Sequence, residues 1–173
     1  LEVSHFGTLW LADEVVTYTK DYARHSRLLT MLKRYGKGSI SAIVPPVPRP
    51  QARKMVTREL QNRIGQSSFV IGIAARLAAE KGIEYVLGAI PLVQSLRGDK
   101  EITLAFAGSM NPVGEMAYNH TIMRLVKKYK KYVVFLGEIK PKDMGSFYAI
   151  LDVLVLSSVN STESFGLVQV EAM

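Results

Sequence analysis

The stretch "FVIGIAARLAAEKGIEYVLGAIPLVQSLR", residues 69–97, decides the fold. It opens with an almost unbroken apolar run, which is typical of a parallel strand that is buried on both faces. A polar loop follows, and beyond it apolar side chains recur at helical spacing. These are Ile83, Val86, Leu87, Ile90 and Val93. Pro91 removes one backbone donor, so we expect it to kink or end this helix. A strand, a loop and a helix in this order form one unit of an α/β fold.

The same unit recurs further along the chain. The apolar runs at residues 102–108, 132–137 and 152–158 predict three more buried strands, and amphipathic segments at 115–130 and 142–151 predict the helices between them. Alternating strands and helices of these lengths are typical of a doubly wound sheet. We therefore predict an α/β protein with a Rossmann-like parallel sheet.

A smaller version of the pattern precedes this sheet. Residues 13–19 and 39–44 read as strands, and residues 20–36 between them read as one helix. The segment "PPVPRP" at residues 45–50 then places four prolines in six positions. Such a segment fits neither a helix interior nor a central strand, and it is typical of a stiff linker.

The proline-rich segment therefore marks the predicted domain boundary. Residues 1–50 would be the end of one α/β domain together with the linker, and residues 51–173 would form most of a second. The first piece is expected to be a remnant of a larger domain, and the sheet of the second is expected to be incomplete.

Composition limits the class of protein. Hydrophobic residues make up 48% of the chain, which suits a packed core and argues against disorder. No apolar run is long enough to span a membrane. The chain has no cysteine, which excludes disulfides and thiolate metal sites and favours a cytoplasmic location.

The charge is strongly positive. The net charge is +7 and the pI is about 9.6, which suits an anionic partner such as nucleic acid, a lipid surface or a phosphorylated small molecule. Solubility alone explains such a charge equally well. The position of the basic residues therefore matters more than their number.

In a parallel sheet, ligands bind beyond the carboxyl ends of the strands. Arg76 and Lys81 lie in the first such loop, where two cations before a helix suit a pyrophosphate, although single surface cations are usually only solvated. The small residues at 108–114 could admit a nucleotide backbone or form a simple turn. The turn at Gly137 and Glu138 could lie against a base.

The last loop carries the most informative pattern, "NSTESFGLVQVEAM" at residues 160–173. Glu163 would follow the fourth strand, and Ser164 is a plausible N-cap for the final helix. The N–H groups of Phe165, Gly166 and Leu167 would then be unpaired first-turn donors that suit a phosphate. Glu171, about two turns further along, would reach ribose hydroxyls.

Four ordered segments resemble a known family. "ESFGLVQVEAM" resembles the Glu–seven residues–Glu motif of retaining GT-B glycosyltransferases of family 4 (group 1), and "AARLAAEKGIEYVLGAI" resembles that family's Arg-Leu and Lys-Gly segment. The stretch at 135–158 looks like the approach to the acidic motif. Residues 11–29 and 40–47 resemble the end of the family's N-terminal domain and its interdomain linker.

The resemblance implies an enzyme that moves a hexose from a UDP- or GDP-sugar to a glycan or lipid-linked acceptor, with retention of anomeric configuration and without a metal. Arg76 and Lys81 would bind the donor diphosphate, and Glu163 would contact the sugar as the catalytic carboxylate. The amides of residues 165–167 would hold the sugar and phosphate, and Glu171 would bind the ribose.

Two departures from the family pattern concern the loops. The family has glycine where this chain has Ala75, and it has Pro-Ser where this chain has Ser157-Ser158. The family's acceptor-side histidine has no counterpart here, because His5 and His25 are more typical of surface residues. In the family the last helix runs on into further units, so the chain is expected to be an internal fragment that could be inactive alone.

Two alternatives stay open. A sugar phosphorylase or synthase could use the same scaffold. The basic segment "MRLVKKYKKY", residues 123–132, could instead bind RNA or anionic lipid, or form only the solvated face of a helix. For the enzyme we expect no nucleic-acid partner, but peripheral contact with an anionic membrane on the cytoplasmic side is compatible with it.

Overall fold

A computed structural model of the protein describes residues 7–66, 69–98, 100–110, 116–160, 163 and 165–173. They divide into two compact units. The first contains the residues up to Val47 together with Glu163 and Phe165, and the second runs from Pro48 to Asn160 and from Gly166 to Met173. Each unit contains a parallel sheet with helices, so the predicted α/β class is confirmed.

The first unit is a strand–helix–strand arrangement. Its elements are β1 (Glu14–Thr17), α1 (Lys20–His25), α2 (Arg27–Tyr35) and β2 (Ser39–Ala42). The strands pair in parallel, and Val15, Leu29 and Leu32 form the core beneath them. The prediction of one helix over residues 20–36 was wrong. Ser26 is extended, with φ −68° and ψ 119°, and it separates α1 from α2.

The second unit contains the larger sheet. Its elements are α3 (Lys54–Ile64), β3 (Phe69–Ala74), α4 (Ile83–Arg97), β4 (Ile102–Ala107), α5 (Met116–Lys128), β5 (Val133–Gly137), α6 (Met144–Tyr148), β6 (Val153–Leu154) and α7 (Leu167–Ala172). Short 3₁₀ turns lie at Ala79–Lys81 and Pro141–Asp143. The strands are all parallel, in the order β5-β4-β3-β6. The proline-rich segment at 45–50 has no helix or strand, as predicted.

Helices cover both faces of this sheet, which explains the continuous apolar runs. On one face, residues of α4 and α5 such as Leu87, Ile90 and Ile122 share a core with β3 and β4. On the other face, Leu60 of α3 and Phe147 of α6 pack against the same strands. Every residue of β4 is buried, as a central strand requires.

Two sequence predictions about these elements need correction. The fourth strand pairs only over Val153–Leu154 and not over the whole apolar run. Asp152 supports its start, since its carboxylate accepts a hydrogen bond from the Val70 N–H at 2.7 Å. Pro91 does not end α4, which continues to Arg97.

The short helix α6 is fastened to the start of α3. The hydroxyl of Ser146 is fully buried, accepts a hydrogen bond from the Arg53 N–H at 2.8 Å and donates to the Arg53 carbonyl at 3.3 Å. Gly145 lies so close to Gln51 that a Cβ there would sit 2.6 Å from its backbone. Among the described residues, no helix is both long and apolar enough to span a membrane.

Candidate functional site

The strand order defines one crevice at the carboxyl edge of the large sheet. The chain passes from β3 to β4 and then β5 on one side, and it returns to place β6 on the other side of β3. The order therefore reverses between β3 and β6. In open α/β sheets the ligand binds at this switch point, because the loops on its two sides diverge and leave a crevice.

The loops on the two sides of the switch point are bonded to each other. The Ser157 hydroxyl donates to the Lys81 carbonyl at 2.7 Å, and the Val159 N–H donates to the Glu80 carbonyl at 3.0 Å. Gly82, with φ 57°, lies where these two loops meet, and a Cβ at this position would be 2.4 Å from the Ser157 carbonyl oxygen. The sequence therefore brings the loop that carries Arg76 and Lys81 against the loop that leads to α7.

The two predicted cations differ in their surroundings. The Arg76 side chain is 65% exposed, and its guanidinium pairs with the Glu80 carboxylate at 2.9 Å. Lys81 is half-buried at the end of the 3₁₀ turn. A neighbouring carboxylate keeps the Arg76 side chain on the loop surface but competes with any anion that approaches it.

Tyr118 holds the start of α4. Its hydroxyl donates to the Glu84 carboxylate and accepts a hydrogen bond from the Ile83 N–H at 3.1 Å. Burial, together with the Glu84 carboxylate, raises the pKa of Tyr118 above its usual range. The helix that follows the Arg76 loop is thereby tied to α5.

The loop after β4 packs against the same region. The Leu77 N–H donates to the Ser109 carbonyl at 3.0 Å, and a Cβ on Gly108 would lie 1.8 Å from the Ala75 carbonyl oxygen. Only glycine fits at position 108, where φ is 150°. Gly114, the last small residue of the predicted loop, lies outside the described residues.

The final helix begins later than predicted. Helix α7 starts at Leu167, and Gly166 occupies the cap position with φ 73° and ψ 56°. Because this left-handed conformation cannot belong to a right-handed helix, the N–H groups of Phe165 and Gly166 precede the helix rather than form its first turn. The predicted N-cap, Ser164, lies outside the described residues.

Glu171 has a partner that the sequence did not indicate. Its carboxylate accepts a hydrogen bond from the Tyr148 hydroxyl at 2.6 Å, which links α7 to α6. Burial, and then the adjacent Glu171 carboxylate, raises the pKa of Tyr148 above its usual range. The hydrogen bond from Tyr148 therefore orients the Glu171 carboxylate. Glu171 lies on α7, the helix that comes after the second loop of the switch point.

Glu163 and Phe165 group with the first unit by their contacts, although the chain places them between β6 and α7. Both are half-buried. The Phe165 ring meets the Tyr18 ring edge-on, with 6.1 Å between the centroids. The second unit therefore contains five of the predicted site residues: Arg76, Lys81, Gly166, Leu167 and Glu171. The other two, Glu163 and Phe165, belong to the first unit.

Three residues that organise this region escaped sequence reasoning: Ser157, Tyr118 and Tyr148. Ser157 stood out only as a departure from a family pattern, and its hydroxyl forms a bond that a proline could not form. The two tyrosines lie on helices at partly buried positions, where their apolar rings read as ordinary packing residues. No group of three or more His, Asp or Glu side chains suited to a metal ion occurs among the described residues.

Comparison with known proteins identifies the family. The profile of the family described as glycosyl transferases group 1 matches residues 58–173, which are most of the chain. The chain belongs to the glycosyl transferases group 1 family. The matched range covers all four strands of the larger sheet and both loops of the switch point.

Two curated proteins are similar to this chain in sequence. Lipopolysaccharide 1,2-N-acetylglucosaminetransferase of Salmonella typhimurium is 28% identical over 114 residues, which are 65% of this chain and 30% of that protein. An uncharacterized glycosyltransferase of Methanocaldococcus jannaschii is 33% identical over 105 residues, which are 60% of this chain and 24% of that protein. The chain thus spans less than a third of the length of each.

Solved glycosyltransferase structures share the fold. Anabaena HepE in complex with UDP and glucose superposes with a TM-score of 0.73 at 19% identity, over 93% of this chain and 42% of that one. The catalytic domain of Arabidopsis thaliana starch synthase IV, bound to ADP and acarbose, gives 0.69 at 19% identity, over 97% of this chain and 39% of that one. The Rossmann-like α/β sheet of this group 1 chain is therefore the GT-B type of fold.

Proposed function

We propose that this protein transfers a hexose from a nucleotide-diphosphate sugar to a glycan or lipid-linked acceptor, as a retaining enzyme of glycosyltransferase family 4. The proposal rests on one observation: hydrogen bonds join the two loops of the switch point. One of these loops carries Arg76 and Lys81, and the other leads to α7. Membership of the group 1 family supports the same class of reaction.

In this proposal the donor diphosphate lies against the Arg76 loop. The guanidinium of Arg76 leaves Glu80 for the more highly charged diphosphate, and the Lys81 ammonium adds a second positive charge. The amides at Phe165, Gly166 and Leu167 hold the sugar and phosphate, and Gly166 lets the ligand approach the backbone. Charges fixed at the leaving group lower the barrier because negative charge grows there in the transition state.

The two glutamates have separate roles. Glu171 accepts hydrogen bonds from the ribose hydroxyls, with its orientation set by the Tyr148 hydroxyl. Glu163 contacts the hydroxyls of the donor sugar and is the catalytic carboxylate. Its negative charge also stabilises the positive character that develops on the sugar ring as the bond to phosphate breaks.

The transfer step needs no external base or metal. The bond from C1 of the sugar to the diphosphate oxygen breaks, and the electron pair leaves with the nucleoside diphosphate. The acceptor hydroxyl bonds to C1 on the same face, and its proton passes to the leaving phosphate. The configuration at C1 is thereby retained, and chelation with EDTA should leave the rate unchanged.

The experiment is a donor panel on the whole protein, with UDP-, GDP- and ADP-sugars and with product anomers read by NMR. ADP is included because one structural neighbour was bound to it, and UDP because another was. We expect one donor to be used and its anomeric configuration to be kept. An inverted product would overturn retention, and phosphorolysis without transfer would favour the phosphorylase alternative.

A variant separates sugar contact from nucleotide contact. Glu163→Gln keeps the size of the side chain but removes its charge, so we expect kcat to fall by roughly tenfold to a thousandfold. The Kd for the nucleoside diphosphate should stay unchanged, because that ligand lacks the sugar. A Glu163→Gln enzyme with normal kcat would remove Glu163 from the catalytic role.

A further inference from the structure

Five cations form what we call the basic rim of the second unit. They lie at the end of α5 and in the turn that leads into β5: Arg124, Lys127, Lys128, Lys130 and Lys131. All five are exposed, and residues 116–131 include no Asp or Glu. None of the ion pairs between described residues involves them. The rim therefore presents a concentrated positive charge to its surroundings.

The basic rim lies at the edge of the sheet opposite the switch point. Helix α5 leads to the amino end of β5, and Lys131 lines a cleft together with Gln94 and Gly98 from the end of α4. Glu101 lines the same cleft. Arg76 and Lys81 follow the carboxyl end of β3, so a partner on the rim leaves their loop accessible.

Exposed apolar side chains accompany these cations. On α4, Leu92 is 69% exposed and Leu96 is 87% exposed, and on α5 Met123 is 40% exposed. Both helices pack on the same face of the sheet and are joined through Tyr118 and Glu84. A surface that combines exposed leucine and methionine with lysines matches a bilayer interface, which offers anionic headgroups beside acyl chains.

Nucleic acid fits this surface less well. Single-stranded RNA is bound through aromatic rings on which its bases stack, in addition to cations. Tyr129 and Tyr132, the aromatic residues of the rim, are half-buried and pack against the core. Lys128 and Lys131 lie over these rings, with 5.0 Å and 5.7 Å between the ammonium nitrogen and the ring centroid. The rings are therefore engaged within the protein.

We infer that the basic rim, with Leu92 and Leu96, docks the protein on an anionic lipid surface. The cations bind the lipid phosphates, and the leucines enter the boundary between headgroups and acyl chains. Each lysine near an anionic membrane strengthens binding by about fivefold. This inference does not depend on the proposed transfer reaction.

The test is flotation with vesicles of phosphatidylcholine alone and of phosphatidylcholine mixed with phosphatidylglycerol. The variant reverses four charges of the rim: Lys127→Glu, Lys128→Glu, Lys130→Glu and Lys131→Glu. The control reverses four exposed charges elsewhere in the same unit: Lys54→Glu, Arg58→Glu, Lys140→Glu and Lys142→Glu. Circular dichroism confirms that both variants are folded. Because the two have the same net charge, they separate a local surface from the overall charge.

We expect the wild type and the control to bind only the anionic vesicles. The rim variant should bind these vesicles at least several hundredfold more weakly, because losses of about fivefold at each of four lysines multiply to roughly 600-fold. The double variant Leu92→Gln/Leu96→Gln should still bind anionic vesicles at low salt. At high salt, where only the apolar contribution to binding remains, it should no longer bind. Equal losses in both charge variants would overturn the inference, because net charge alone would then explain binding. Binding to an RNA oligonucleotide without binding to anionic vesicles would also overturn it.

Discussion

The hydroxyl of Ser157 joins two loops that come from opposite sides of the switch point. It donates to the Lys81 carbonyl at 2.7 Å, while the neighbouring Val159 N–H reaches the Glu80 carbonyl. A single side chain thus helps to fix the backbone of Lys81, one of the two cations that we propose for the diphosphate.

Replacement of Ser157 by alanine tests this coupling. We expect Ser157→Ala to lower the free energy of unfolding by about 1 kcal/mol, because the Lys81 carbonyl loses a partner in a partly buried position. The Kd for the nucleotide should rise as well, because the Lys81 loop becomes less ordered. Urea denaturation and calorimetric titration measure the two effects. Ser95→Ala, at an exposed position on α4, is the matched control, and equal behaviour of the two variants would contradict the coupling.

At the scale of elements, the short helix α6 depends on its bonds to other elements. With only the residues Met144–Tyr148, it is too short to be stable alone. Ser146 fastens it to Arg53 at the start of α3, and Tyr148 fastens it to α7 through Glu171. Helix α6 therefore connects α3, which covers one face of the sheet, to α7, which comes after the second loop of the switch point.

We predict that Ser146→Ala lowers the free energy of unfolding by about 1–3 kcal/mol. The substitution removes the fully buried Ser146 hydroxyl, which accepts a hydrogen bond from the Arg53 N–H, and leaves that N–H without this partner. The urea midpoint should fall accordingly. A variant as stable as the wild type would show that another group satisfies the Arg53 N–H.

The Tyr148–Glu171 bond predicts a dependence of stability on high pH. The pKa of Tyr148 is raised in the folded protein, so its contribution to stability is complete below the ordinary tyrosine pKa of about 10. Above that pH the unfolded chain loses the proton that the folded protein retains, and the contribution declines. Tyr148→Phe should therefore show a shallower loss of stability than the wild type above about pH 10.

Urea denaturation at neutral pH and above pH 10 checks this prediction. At neutral pH the variant should be less stable by about 1 kcal/mol, since Glu171 loses a hydrogen bond. Tyr35→Phe, at an exposed position in the first unit, is the control. Parallel pH profiles for the wild type and Tyr148→Phe would contradict the raised pKa.

Sequence reasoning succeeded for the elements whose pattern is periodic and failed where one contact decides the structure. The continuous apolar runs predicted β3, β4 and β5, because strands covered on both faces must be apolar throughout. The division of the first helical segment at Ser26 and the left-handed cap at Gly166 depend on single backbone conformations. The Tyr148–Glu171 bond joins residues far apart in the chain, and no spacing rule relates them.

At the scale of the whole molecule, the second unit uses the two edges of one sheet differently. The carboxyl edge gathers the loops of the switch point, with Arg76 and Lys81, whereas the basic rim lies at the amino edge. A parallel sheet separates these edges because all of its strands point the same way. Both edges thus carry cations, and the two sets have different proposed partners.

In the proposed function, the carboxyl edge of the larger sheet binds a nucleoside diphosphate through Arg76 and Lys81. Calorimetric titration of UDP, GDP and ADP tests it on the wild type, on Arg76→Ala/Lys81→Ala and on the charge-matched control Lys54→Ala/Arg58→Ala. We expect one nucleotide to bind saturably to the wild type and to the control, and its affinity to fall by roughly a hundredfold or more in Arg76→Ala/Lys81→Ala. Equal affinity in all three proteins would contradict it.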